Sequence, residues 1–177
     1  QRALDEAIDL AEQVVQLRIR AGQPADWHEV VDAHLRKAKL NYLRTAAPDA
    51  RRQLAASDAR AKEFHALHGR RQYAAALAVA RAKLAVSRHV FSGDDPDIAT
   101  SLDDLATIML ETGEFVQAEL LLREAAAMSL RLFPNYHPDV AEYLNDLAYS
   151  FGAFGAFKEG EAVNRAVLAM NMRLYGV

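Results

Sequence analysis

The amino-acid sequence predicts an all-α fold, a right-handed solenoid of antiparallel helix pairs with about eight helices. Three observations carry that expectation. Asp95-Pro96-Asp97-Ile98-Ala99 returns 42 positions later as His137-Pro138-Asp139-Val140-Ala141. The match then continues, with Leu102, Asp104, Leu105, Ala106, Gly113, Phe115, Glu119, Arg131 and Leu132 recurring as Leu144, Asp146, Leu147, Ala148, Gly155, Phe157, Glu161, Arg173 and Leu174. Within each copy apolar residues recur at spacings of three and four, the period of one helix face. A fixed period of this size marks stacked units, each of which buries its apolar face on its neighbours.

Residues 3–20 and 27–45 read as two amphipathic helices separated by Ala21-Gly22-Gln23-Pro24. They do not superpose on the repeat, so residues 1–47 are expected to form a degenerate unit or an N-terminal cap. Residues 48–91 hold a worn copy. Its first helix starts near Pro48 and is longer than its counterparts, and Tyr73, Ala76, Ala80, Val90 and Phe91 align with Phe115, Ala118, Leu122, Leu132 and Phe133. Arg71 replaces the turn glycine and Gly69 stands two residues earlier, which predicts a shifted turn.

Residues 92–134 form a complete unit. Pro96 occupies a first-turn position, where its missing N–H is harmless, and Asp97 complements the helix dipole. Gly113 separates the Ile98, Leu102, Leu105, Ala106, Met109 face from the Phe115, Ala118, Leu122, Ala125, Ala126 face. Residues 135–177 repeat that plan, with Gly160 in the place of Ala118. The last helix carries Ala162, Val163, Ala166, Val167, Met170 and Leu174 and stops at Val177 without a polar capping helix. Repeat arrays need such a cap, so this end is expected to be cut from a longer array or covered by a second copy in a homodimer.

At 177 residues and 51% apolar content the chain can bury a continuous core. Zero cysteines exclude disulfides, thiolate ligands and a cysteine nucleophile within this stretch, and they fit a reducing, cytoplasmic setting. No apolar run approaches a membrane span. The net charge of −3 conceals a polarity, +6 over residues 1–91 and −9 over residues 92–177, which suits electrostatic steering or head-to-tail contact.

The run Asp97-Ile98-Ala99-Thr100-Ser101-Leu102-Asp103-Asp104-Leu105-Ala106, with Gly113-Glu114-Phe115 and Ala118-Glu119 and their second copy, resembles the tetratricopeptide repeat. The likeness is to the 42-residue variety of kinesin light chains and bacterial scaffold proteins. It implies a groove lined by the first helices of successive units that holds a peptide or protein. Its positions map onto Thr100, Asp103, Thr107, Leu110 and Glu111, then Glu142, Asn145, Tyr149 and Ala153, and in the worn unit Asp58, Ala61, His65 and His68. Asn145 matches an asparagine that grips ligand backbone in related repeats. Asp103 stands where the family has the same Asn; it keeps the acceptor, loses the donor and favours a basic ligand.

Reactive chemistry finds little support. His65 and His68 with Glu63, and His28 with Asp32 and His34, have no fixed third ligand and do not form the HExxH arrangement. No metal and no cofactor is expected. Asp94, Asp95, Asp97, Asp103 and Asp104 form an acidic knot, read as exposed acids around a helix N-terminus and not as a catalytic pair. Arg51, Arg52, Arg60, Arg70 and Arg71 lack the interleaved aromatics that nucleic acid would require. Trp27, Phe64, Phe133, Tyr143 and Phe151 read as core packing. The expected function is a non-catalytic interaction scaffold that recruits a peptide or protein. The alternative is a regulatory or sensor segment of a larger protease- or kinase-linked enzyme. The neighbourhood of Asp26-Trp27-His28-Glu29-Val30-Val31-Asp32-Ala33, which looks like the region preceding such repeats in large multidomain proteins, prompts it.

Overall fold

The computed structural model describes residues 28–133 and 137–176, together with Asp9, Gln13, Gln16 and Arg20. Seven helices lie in the two continuous stretches: α1 His28–Thr45, α2 Pro48–Gly69, α3 Tyr73–Val90, α4 Pro96–Thr112, α5 Phe115–Leu132, α6 Pro138–Ala153 and α7 Phe157–Tyr175. The helix predicted over 3–20 falls outside the described residues except for Asp9, Gln13, Gln16 and Arg20, which are helical. The fold is all-α among the described residues.

The boundaries follow local chemistry. Pro48, Pro96 and Pro138 each open a helix, and the Asp95 carboxylate accepts the Asp97 N–H at 2.8 Å as the N-cap of α4. The equivalent cap of α6 is an imidazole. His137 Nδ1 accepts the Asp139 N–H at 3.2 Å, so that nitrogen carries no proton and the neutral ring's hydrogen sits on Nε2, 3.0 Å from Asp32 Oδ1. His137 is 2% exposed and stacks on Phe133 with ring centroids 3.7 Å apart. Between paired helices the chain turns through a left-handed residue, Gly113 at φ 83° and Gly155 at φ 76°. The worn unit does not shift its turn as the sequence suggested. Arg71 itself adopts φ 57°, in register with the two glycines.

Consecutive helices pack as α2 on α3, α3 on α4, and so on to α6 on α7, the pattern of a one-dimensional stack. Of the alternate helices α4 and α6 come into contact, and the first helices α2, α4 and α6 line one side of the stack, its inner face. Ala76, Ala80, Ala99, Ala106, Ala118 and Ala125 are buried at the crossings, and their short side chains allow close backbone approach. Leu102, Ile108 and Leu122, fully buried among them, each contribute roughly 1.5–3 kcal/mol. Gly160 carries the same logic further. A Cβ there would lie 3.2 Å from the Ala148 carbonyl oxygen and 3.5 Å from Phe151 Cβ.

Helix α1 does not continue the stack. It crosses the edge where units join, and its contacts reach every unit. Lys39 Nζ lies 2.7 Å from Asp97 and 3.8 Å from Asp58, Tyr42 donates to the Val90 carbonyl at 3.4 Å and packs on Phe91, and Asp32 meets His137. Val31 and Leu35 join a separate apolar cluster of Phe133, Val140, Ala141, Val167, Met170 and Leu174.

Candidate functional site

The inner face presents α2, α4 and α6 side by side, and the expected groove residues fall on it in two groups. The first joins α2 to α4. His68 Nε2 lies 4.0 Å from Glu111 Oε1, and Tyr73, read from the sequence only as the counterpart of Phe115, donates to Glu111 Oε2 at 3.2 Å. His68 stacks on the buried Phe64 ring at 5.9 Å, while His65 is exposed beside it. The second group joins α4 to α6. Asn145 and Tyr149 face solvent, with Tyr149 62% exposed. Thr107 is half-buried and Leu110 is buried in the core.

Asp103 departs furthest from expectation. The sequence reads it and Asp104 as exposed acids near a helix N-terminus, yet both are buried, two turns into α4. Asp104 is neutralised by the equally buried Lys83 of α3, Nζ to Oδ2 2.5 Å. Asp103 is 9% exposed, and its Oδ1 is fully buried with no hydrogen-bond donor. Burial first, and then the carboxylates of Asp146, Glu142 and Asp104, push the Asp103 carboxyl up to about 8, with Lys83 opposing the shift. Glu142, exposed at the surface, and half-buried Asp146 are also raised, partial desolvation being the largest cause for each and the neighbouring acids adding to it for Glu142. Tyr143 bridges the same two helices, its hydroxyl 3.3 Å from Thr100 Oγ1.

The rest of the acidic knot is separated and occupied. Asp94 pairs with Arg131 at 2.5 Å, which holds its carboxyl below the usual carboxylate range; Asp95 caps α4, and Asp97 pairs with Lys39. Two arginines of the basic stretch are engaged locally. Arg51 donates to the carbonyls of Ala46 and Arg44, and Arg52 pairs with Asp49. Phe64, Phe133, Tyr143 and Phe151 are buried, while Trp27 lies outside the described residues. Among the described residues no group of three or more His, Asp and Glu stands together to hold a metal ion.

Two concavities lie away from the inner face. One of about 550 Å³ runs between α1 and the unit edges, lined by Asp32, Lys39, Phe91, Asp95, Asp97 and Phe133; within it Lys39 pairs with Asp97, and Asp32 meets His137. The other, about 350 Å³, opens on α7 beside Phe157, Gly160, Asn164 and Leu168. No helix among the described residues is long and apolar enough to cross a membrane.

Stacked helix pairs with an uncovered inner face define a class of repeat proteins that present an extended surface and not a reactive pocket. Within that class, residues 98–139 match the family model of the tetratricopeptide repeat, over one full period of the sequence. The chain therefore carries a tetratricopeptide repeat, a class that generally mediates protein–protein interaction. The same fold is seen in a crystal structure of nearly identical TPR-like repeats, described as kinesin light chain, from Podosopora anserina. That structure is similar with a TM-score of 0.58 at 19% identity, over 97% of this chain and 89% of that one. A single-residue variant of those repeats is similar with a TM-score of 0.61 at 18% identity, over 98% and 89%. A search of curated proteins by sequence finds no match.

Proposed function

We propose that the chain is a non-catalytic interaction scaffold whose inner face holds a peptide or protein segment along α2, α4 and α6. The contact residues in this reading are His65, His68, Asp103, Thr107, Glu111, Asn145 and Tyr149. One observation carries it: Glu111, Asn145 and Tyr149 project to solvent from the first helices, while the opposite sides of the same helices are core. An Asn amide offers a donor and an acceptor to ligand backbone, and an exposed Tyr supplies a flat apolar body with a polar tip. Asn145→Ala with Tyr149→Ala is expected to weaken a partner recovered by pull-down about tenfold or more, with helicity and melting unchanged. Unaltered binding would move the interaction to the outer face.

A second copy is the partner we propose for the open face of α7. Leu168 there is 61% exposed, whereas Ala126, one period earlier on α5, is buried beneath α6. Light scattering checks this: a chain that stays monomeric at high concentration would remove the proposal.

A further inference from the structure

The interface between α3 and α4 and the interface between α5 and α6 are built on one template, but the buried cation of the first is absent from the second. In the first, Lys83 neutralises Asp104. Moving 42 residues along, Asp104 becomes Asp146 and Lys83 becomes Ala125, so the acid is retained and its cation is lost. The region also gains acid, because Asp103 of α4 and Glu142 of α6 flank Asp146. None of these three carboxylates has a salt-bridge partner among the described residues. The other acids of α4 and its cap, Asp95, Asp97, Asp104 and Glu111, each cap the helix, pair with a lysine or accept from Tyr73. Asp103 Oδ1 is itself a buried acceptor with no donor.

Resting on the inner-face reading above, we propose that the seam between α4 and α6 is a subsite for a lysine or arginine side chain of a bound peptide. The incoming cation takes the role, one period on, that Lys83 performs in the preceding interface. The chemistry is specific. A buried carboxylate without a donor is costly, and an ammonium or guanidinium supplies both the charge and the N–H groups to satisfy it. Asn145 and Tyr149, on the same helix as Glu142 and Asp146, then lie beside the backbone of the residue that inserts.

The groups that face Asp103 are Lys83 from α3, Asp104 from its own helix, and Glu142 and Asp146 from α6; Asp139 acts in turn on Glu142. A cation that binds the ionised form must displace the proton Asp103 holds below about pH 8. Affinity for a basic peptide therefore rises with pH, by up to about tenfold per unit below that point if one proton is released.

The test is an array of short random-sequence peptides probed with the purified chain. Captured peptides are expected to be enriched in Lys or Arg. Asp103→Asn combined with Asp146→Asn should lower the affinity of a captured basic peptide at least about tenfold and flatten its pH dependence. Ala125→Lys returns an internal ammonium to the Lys83 position; it should block the same peptide equally while melting no lower than the parent. If that variant fails to fold, the Asp103/Asp146 pair decides. An array that captures nothing, capture without basic enrichment, or unchanged affinity in Asp146→Asn overturns the subsite. Non-basic peptides that bind yet are lost with Asn145→Ala and Tyr149→Ala overturn the subsite and leave the groove standing. Capture that survives every inner-face substitution overturns both.

Discussion

The junction of α3 with α4 closes its polar groups, and the junction of α5 with α6 leaves them open. In the first, Lys83 meets Asp104 and Ser87 Oγ lies 3.2 Å from Ser101 Oγ. In the second, Ala125 stands in the lysine position and Tyr143 in the place of Ser101, its hydroxyl turned to Thr100. Ser129, the counterpart of Ser87, is buried without a partner. The backbone schedule is the same in both. Periodicity therefore fixes where helices start, turn and cross, while the few polar residues at each junction are free to diverge. Unanswered polar atoms at Ser129 and at Asp103, beside the satisfied Lys83–Asp104 pair, are what a binding surface grafted onto a structural template looks like.

The largest expected effect comes from breaking the closed junction. Lys83→Met leaves Asp104 buried and unpaired and should cost about 3–5 kcal/mol in chemical denaturation. Adding Asp104→Leu should recover most of that loss, because the pair itself contributes little beyond mutual neutralisation.

Asp103, on α4 and acted on by the acids of α6, should respond to pH in the opposite sense from an ordinary salt-bridged acid. The Asp103 carboxyl is pushed up to about 8 in the folded chain, against about 4 for an unfolded aspartate. Between those values the folded state holds the extra proton, so stability falls as pH rises from about 4 to about 8. Asp103→Asn removes that slope and should gain on the order of 1–3 kcal/mol at pH about 8, read from melting curves at a series of pH values.

A third comparison concerns the helix crossings. Gly160→Leu drives a side chain into the Ala148 carbonyl and Phe151 and should cost about 1–3 kcal/mol. Ala118→Gly, at the matching site in the unit before, should cost about 1 kcal/mol through helix propensity and lost packing. Equal losses would mean that the close approach at Gly160 has no packing role. The smallest effect is a gain. Arg71→Gly relieves a left-handed side-chain residue and should stabilise by about 1 kcal/mol.

The fold was legible because it repeats. Prolines at 48, 96 and 138, glycines at 113 and 155, and apolar spacing mark every helix from α2 to α7. Two features resisted the same reading for physical reasons. Lys83 lies in the worn unit, 21 residues before the acid it neutralises, and only superposing 83 on 125 and 104 on 146 exposes the missing cation. Asp103 and Asp104 read as part of a solvated helix start because they are acidic and follow Asp95-Pro96-Asp97. Their position two turns along places them against neighbouring helices instead. Helix α1 has no counterpart in the repeat, so no period could say where it docks. Its link to His137 spans 105 residues.

That link changes how the molecule comes apart. An array held only by nearest neighbours frays from either end, one unit at a time. Here Asp32, Val31 and Leu35 tie α1 to His137 and to the apolar cluster around Val140 and Met170, while Lys39 and Tyr42 seize the units between. Peeling α7 away strips support from α1, and releasing α1 loosens α6. The first and last of these helices are thus coupled through side chains, so that loss of either weakens the hold on the other.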